Sequence, residues 1–97
     1  MKQLSIVVPT YNESKNVNVL FERLDHALDG IDYELIFVDD SRDDTPDVIR
    51  ELQKQHPNVR LKHRENEKGL ATAVLCGFSM AKGEYIAVMD AEKVVLL

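Results

Sequence analysis

The chain has 97 residues, 44% hydrophobic and 30% charged, which suits one soluble globular domain with a thin core. Its 12 Lys plus Arg against 17 Asp plus Glu give a net charge of −5. That sign argues against the phosphate backbone of nucleic acid as a partner, and it fits either a site that holds a cation or an acidic, solvating surface. The single cysteine, Cys76, excludes an internal disulfide and matches a reducing, cytoplasmic setting. No apolar run approaches the ~20 residues that span a bilayer, and the apolar stretch before Pro9 is short for a signal sequence.

Taken in chain order, Leu4 to Val8 is rich in β-branched residues and predicts a buried strand closed by Pro9. Val17, Leu20, Phe21, Leu24 and Leu28 recur on one helical face, with Asn12 or Ser14 as the expected cap and Gly30 as the stop. Tyr33 to Val38 predicts a second buried strand. Thr45 before Pro46 reads as an N-cap with Pro at the first helical position, and Val48, Ile49 and Leu52 form that helix's apolar face. Val59 to His63 alternates apolar and polar residues, as an edge strand does. Leu70, Ala73, Val74, Gly77, Phe78 and Ala81 mark a third helix, ended by Gly83, and Tyr85 to Met89 predicts a fourth buried strand. The order β-α-β-α-β-α-β implies a three-layer α/β fold on a parallel four-stranded, Rossmann-like sheet. No linker divides the chain, so residues 1–97 read as a single domain.

In a parallel sheet the residues that follow the strands gather on one edge, and open α/β sheets bind ligands there. Here that edge collects "PTYNE", "DDSRDDT" and "DAE", bringing together Glu13, Asp39, Asp40 and Asp90. Carboxylates so gathered repel one another unless a cation or hydrogen-bond donors sit among them. Mg²⁺ or Mn²⁺ takes oxygen ligands and is often shared with a diphosphate, so the residues point to a metal-assisted nucleotide site. The first strand is not followed by G-x-G-x-x-G, and the chain has no G-x-x-x-x-G-K. Phosphates would then fall to the metal and to basic side chains, with Arg64 and Lys68 as candidates.

The segments "VVPTYNE" (7–13), "VDDSRDDT" (38–45) and "ENEKGLATAVLCGFSMAKGEYIAVMDA" (65–91), in this order, resemble the family-2 glycosyltransferases of the GT-A fold, in particular the polyprenyl- and dolichol-phosphate mannose synthases. The resemblance implies that the chain is the N-terminal, nucleotide-sugar-binding portion of such an enzyme. Pro9, Tyr11 and Glu13 would line the nucleotide pocket, Asp39 would accept hydrogen bonds from the base, and Asp40 would lie against the sugar-nucleotide. Asp90 would open the D-x-D motif that binds Mg²⁺ or Mn²⁺ and the donor diphosphate. Glu92 stands at the motif's third place, where the family has Asp, and Val94 stands where it usually has Gln. The family's reaction is metal-assisted transfer of a hexose from a GDP- or UDP-sugar to a polyprenyl phosphate or sugar acceptor, at the cytoplasmic face of a membrane. The family's acceptor half, with its catalytic base, would follow Leu97, so this chain alone is expected to be inactive. Residues 92–97 do not resemble the family's continuation. The fourth strand would lose a neighbour, and a homodimer through that strand or the tail is expected.

Other readings of the same residues stay open. The acidic pair could be a solvated turn, Glu13 a first-turn helix charge, and Asp43 to Thr45 a cap. Gly77 suits close helix–sheet packing and Cys76 a small buried hydrophobe. His26, His56 and His63 lack metal-ligand spacing and read as surface groups. A phosphate-receiver domain also sets carboxylates at strand ends, but its acidic pair follows the first strand and its lysine a fifth. The alternative function is a non-catalytic nucleotide-binding or purely structural fragment.

Overall fold

A computed structural model of the chain describes residues 2–67 and 69–91. Four strands, β1 (Lys2–Thr10), β2 (Tyr33–Asp39), β3 (Val59–His63) and β4 (Gly83–Val88), alternate with three helices, α1 (Ser14–Ala27), α2 (Thr45–Gln55) and α3 (Leu70–Met80). All strand pairs are parallel and the order across the sheet is β3-β2-β1-β4, as the alternating pattern predicts. The first two crossovers step outward on one side of β1. The third returns past β1 to its other side, so strand order reverses between β1 and β4.

Period-2 alternation sorts the strand side chains onto two faces. Ile6, Val8, Leu35 and Phe37 pack with Val17, Leu20, Phe21 and Leu24 of α1 and with Ile49 and Leu52 of α2. Val7, Ile36 and Val38 face the other way, against Ala73 of α3 with Cys76 and Met80 beside it. Two glycines make this second layer possible. A Cβ on Gly77 would lie 2.3 Å from Val7 Cγ1, so only glycine lets α3 sit this close to the sheet. A Cβ on Gly83 would lie 2.6 Å from the Ser5 nitrogen, where β4 meets β1.

Polar groups tie the α3 face together at its lower end. Glu34 on β2 is buried and accepts hydrogen bonds from Ser5 Oγ (2.6 Å), the Lys82 N–H (2.6 Å) and Arg60 Nη1 (2.8 Å). Burial pushes the Glu34 carboxyl up, but these donors together outweigh it and hold the group below its ordinary value. Ser5 Oγ also accepts from the Gly83 N–H, so one carboxylate links all four strands.

The helix starts differ from expectation. Neither Asn12 nor Ser14 caps α1; the cap position is Glu13, without a side-chain cap bond, and Asn12 adopts φ 51°. The cap position of α2 is Asp44 rather than Thr45, and Asp43 Oδ1 accepts from the Thr45 N–H at 2.9 Å and from its hydroxyl. These donors hold the Asp43 carboxyl below its ordinary value. β3 is an edge strand as its alternation implies. β4 forms the opposite edge and is not buried: Tyr85 is 72% exposed, and Ile86, Val88 and Met89 are exposed as well. Among the described residues only β1 flanks it, so an apolar sequence that reads as interior is largely exposed.

Candidate functional site

A cleft of about 540 Å³ opens where strand order reverses, at the carboxyl ends of β1 and β4. Pro9, Thr10, Tyr11 and Glu13 line it from the end of β1, Asp40 from the end of β2, Gly69, Leu70 and Ala73 from the start of α3, and Asp90 from beyond β4. Of the nine residues expected at the site, Pro9, Tyr11, Glu13, Asp40 and Asp90 line this cleft, Asp39 and Arg64 serve it from behind, and Lys68 and Glu92 lie outside the described residues.

Asp39 does not line the cleft. Its carboxylate is fully buried, with Oδ1 accepting from Thr10 Oγ1 (2.6 Å) and Ser41 Oγ (2.6 Å). Oδ2 accepts from the Ser41 N–H at 3.3 Å and faces His63 Nδ1 at 2.9 Å. Its lone pairs point at protein donors, so the base contact expected for Asp39 has no open oxygen here. Asp40, the next residue, points into the cleft instead.

Arg64 is also placed otherwise than expected. A guanidinium has five N–H donors. Nε and one Nη2 hydrogen grip Asp40 in a bidentate pair, both at 2.7 Å. Nη1 reaches Glu67 and Thr72 Oγ1, each at 3.1 Å, and the second Nη2 hydrogen reaches the Gly69 carbonyl at 3.2 Å. The side chain is 3% exposed. Asp40, as hydrogen-bond and charge partner, raises the guanidinium's pKa against the opposing effect of burial. Arg64 is therefore spent on holding Asp40 and the start of α3, not offered to phosphates.

The loops after β1 and β2 are stitched together. Ser41 Oγ accepts from the Asn12 N–H (2.7 Å), Asn12 Oδ1 accepts from the Arg42 N–H (3.0 Å), and Thr45 Oγ1 accepts from the Glu13 N–H (3.0 Å). Sequence reasoning missed Thr10, Ser41 and His63 as parts of this edge. His63 was read as a surface group, yet it is the last residue of β3, and the rule that gathers strand ends on one edge was signal enough to include it. His56, also read as a surface group, packs its ring against Phe21 in a tilted arrangement, with centroids 4.3 Å apart.

Among the described residues no group of three His, Cys, Asp or Glu is arranged to hold a metal by itself. The oxygen donors at the cleft suit a hard cation that completes its shell with ligand phosphates, which is how Mg²⁺ is commonly bound. A second, larger cleft of about 960 Å³ lies between α1 and α2, lined by Phe21, Asp25, His26, Asp47, Glu51 and His56 among others. Its carboxylates make it a poor seat for a phosphate. No described helix is long and apolar enough to cross a membrane.

The sequence matches the model of glycosyl transferase family 2 over residues 5–95. It is 45% identical over 91 residues to dolichol-phosphate mannosyltransferase of Pyrococcus furiosus, covering 93% of this chain and 26% of that protein. It is 43% identical over 94 residues to the Saccharomyces cerevisiae dolichol-phosphate mannosyltransferase, covering 93% of this chain and 35% of that protein. The fold superposes on the Pyrobaculum calidifontis mannosyltransferase PcManGT in complex with GDP-Man and Mn²⁺ with a TM-score of 0.83 and 27% identity, over 94% of this chain and 28% of that one. It also superposes on S. aureus TarS in complex with UDP-GlcNAc, with a TM-score of 0.80 and 26% identity, over 93% of this chain and 26% of that one. The chain thus spans about a quarter to a third of the length of these relatives. The matched residues include all of those that line the cleft, and the chain belongs to glycosyl transferase family 2.

Proposed function

We propose that this chain binds the nucleotide-sugar donor of a hexosyltransferase that moves a hexose from a GDP- or UDP-sugar to a polyprenyl phosphate or sugar acceptor. The observation that carries the reading is the cleft at the sheet's switch point, walled by Pro9, Tyr11, Glu13, Asp40 and Asp90. Relatives named for mannosyl transfer to dolichol phosphate, and a neighbour holding GDP-Man with Mn²⁺, support it.

Tyr11, about half exposed at the cleft, offers an aromatic ring to the base, a contact worth roughly 1–3 kcal/mol per stacked base where measured. Pro9 and Ala73 give the pocket apolar walls, and Asp40, held rigid by Arg64, presents a carboxylate to base or ribose N–H and O–H donors. Lys68 would meet the diphosphate. Asp90 and Glu92 would hold Mg²⁺ or Mn²⁺, which when bound offsets diphosphate charge and stabilises the leaving group. We assign donor binding alone to these residues; the acceptor and the catalytic base are assigned to none of them. The chain is expected to bind nucleoside diphosphate weakly and to transfer no sugar, since positioning the attacking group can supply roughly 7–11 kcal/mol of barrier lowering. The open β4 edge supports self-association into a homodimer. We place the complete enzyme at the cytoplasmic face of a membrane, where a lipid-phosphate acceptor would be met.

Calorimetric titration with GDP, UDP and their hexose derivatives, with and without Mn²⁺, tests the reading. Binding that strengthens with Mn²⁺ and weakens in Asp40→Asn is expected. A chain inert to all of them would instead be a structural fragment.

A further inference from the structure

We propose that Asp39 and Ser41 form a polarity relay, braced by His63, that sets the bend at Asn12 and thereby the cleft wall made by Tyr11 and Glu13. In this role Asp39 is a positioning residue that never touches the nucleotide. The inference rests on the reading of the cleft as a nucleotide site.

Hydrogen-bond direction fixes the role of each group. Ser41 Oγ has one hydrogen to give and lone pairs to accept with. Asp39 Oδ1 lies 2.6 Å away and can only accept, so the hydroxyl hydrogen is committed to it. That leaves a Ser41 lone pair for the Asn12 N–H at 2.7 Å. The carboxylate thus fixes Ser41 as an acceptor at the point where the β1 loop needs one. Asn12 adopts φ 51°, in the left-handed region that asparagine tolerates better than most residues but less readily than glycine, so the bond from its N–H to Ser41 Oγ adds to the hold on this bend. Its side chain closes the clasp by accepting from the Arg42 N–H at 3.0 Å. Tyr11 and Glu13 stand on either side of this bend, and both line the cleft, whereas Ser41, Asp39 and His63 do not.

His63 completes the geometry. The same accept-only carboxylate faces its Nδ1 at 2.9 Å, so Nδ1 carries a proton. Thr10 Oγ1 takes the remaining side of Oδ1 at 2.6 Å. Asp39 therefore joins the ends of β1, β2 and β3 behind the cleft. A carboxylate that contacted the base would have to give up one of these partners first.

The test uses the full chain with two arms. In the first, GDP and UDP are titrated with Mn²⁺ into the unsubstituted protein, Ser41→Ala and Ser41→Thr. Ser41→Ala is expected to lose about tenfold or more in affinity, as loss of an interaction of roughly 1.4 kcal/mol would give, and Ser41→Thr is expected to restore it. Asn12 amide exchange should accelerate in Ser41→Ala and not in Ser41→Thr. In the second arm, the ring ¹⁵N spectrum of the unliganded protein is expected to show His63 protonated at Nδ1. A folded Ser41→Ala that binds as tightly as the unsubstituted chain overturns the proposal, and so does a neutral His63 with its proton on Nε2. If the unsubstituted protein binds neither nucleotide, it is the proposed function that fails; the ring spectrum and the Asn12 exchange then decide whether the relay exists.

Discussion

Replacing Arg64 by Met should unseat both the cleft and much of the fold's stability. The guanidinium is 3% exposed and makes two 2.7 Å bonds to Asp40, with further bonds to Glu67, Thr72 and Gly69. Removing one member of such a pair leaves a carboxylate enclosed without its counter-charge, which typically costs ~3–5 kcal/mol. A domain of this size is stable by only ~5–15 kcal/mol, so roughly a fifth or more of the margin would go. At ~4–8 °C per kcal/mol, the midpoint of thermal unfolding should fall by more than ~10 °C. Urea unfolding followed by circular dichroism reads this as a lower midpoint with an unchanged slope. The double variant Arg64→Met with Asp40→Leu should recover most of the loss, because no lone charge remains inside. A loss under about 1 kcal/mol for Arg64→Met would match a solvent-exposed pair and refute the claim that Arg64 is a buried clamp.

Three further outcomes follow from the packing and electrostatics. Glu34 has its carboxyl held below the ordinary value of 4.5, so its contribution to stability is present above that pH and is lost as pH falls through the lowered value; acid unfolding should steepen there, and Glu34→Gln should remove that dependence. Gly77→Ala places a methyl 2.3 Å from Val7 Cγ1 and should cost ~1–3 kcal/mol in denaturant unfolding by forcing α3 off the sheet; a neutral effect would mean the helix is free to shift. Ile86→Lys puts a charge on the open β4 strand, and light scattering should show a mass that rises with concentration for the unsubstituted chain and stays at one chain for the variant.

Periodicity made the fold legible. Apolar residues at 3.6 and at near-continuous spacing set out every strand and helix in order, and the short crossovers left a parallel sheet as the consistent arrangement. The cleft was legible for the same reason, because strand ends share an edge. What could not be read was which of two adjacent carboxylates turns outward. Asp39 and Asp40 are alike in chemistry, and their roles separate through their partners, Thr10, Ser41 and His63 for one and Arg64 for the other. The role of Arg64 was hidden likewise: a basic residue near a phosphate site reads as a phosphate ligand until its donors are counted. β4 reads as buried from its composition, yet burial depends on what lies beside a strand, and among the described residues only β1 does, in keeping with the expected loss of a neighbour.

The most direct test of the account maps GDP and UDP onto the ¹⁵N-labelled chain in the presence of a diamagnetic divalent cation. Amide shifts concentrated at residues 10–13, 40, 69–73 and 90 are the predicted result, since these lie at the cleft where strand order reverses. Shifts confined to the larger groove between α1 and α2, at residues such as Phe21, Asp47 and His56, or no shifts at all, would contradict it.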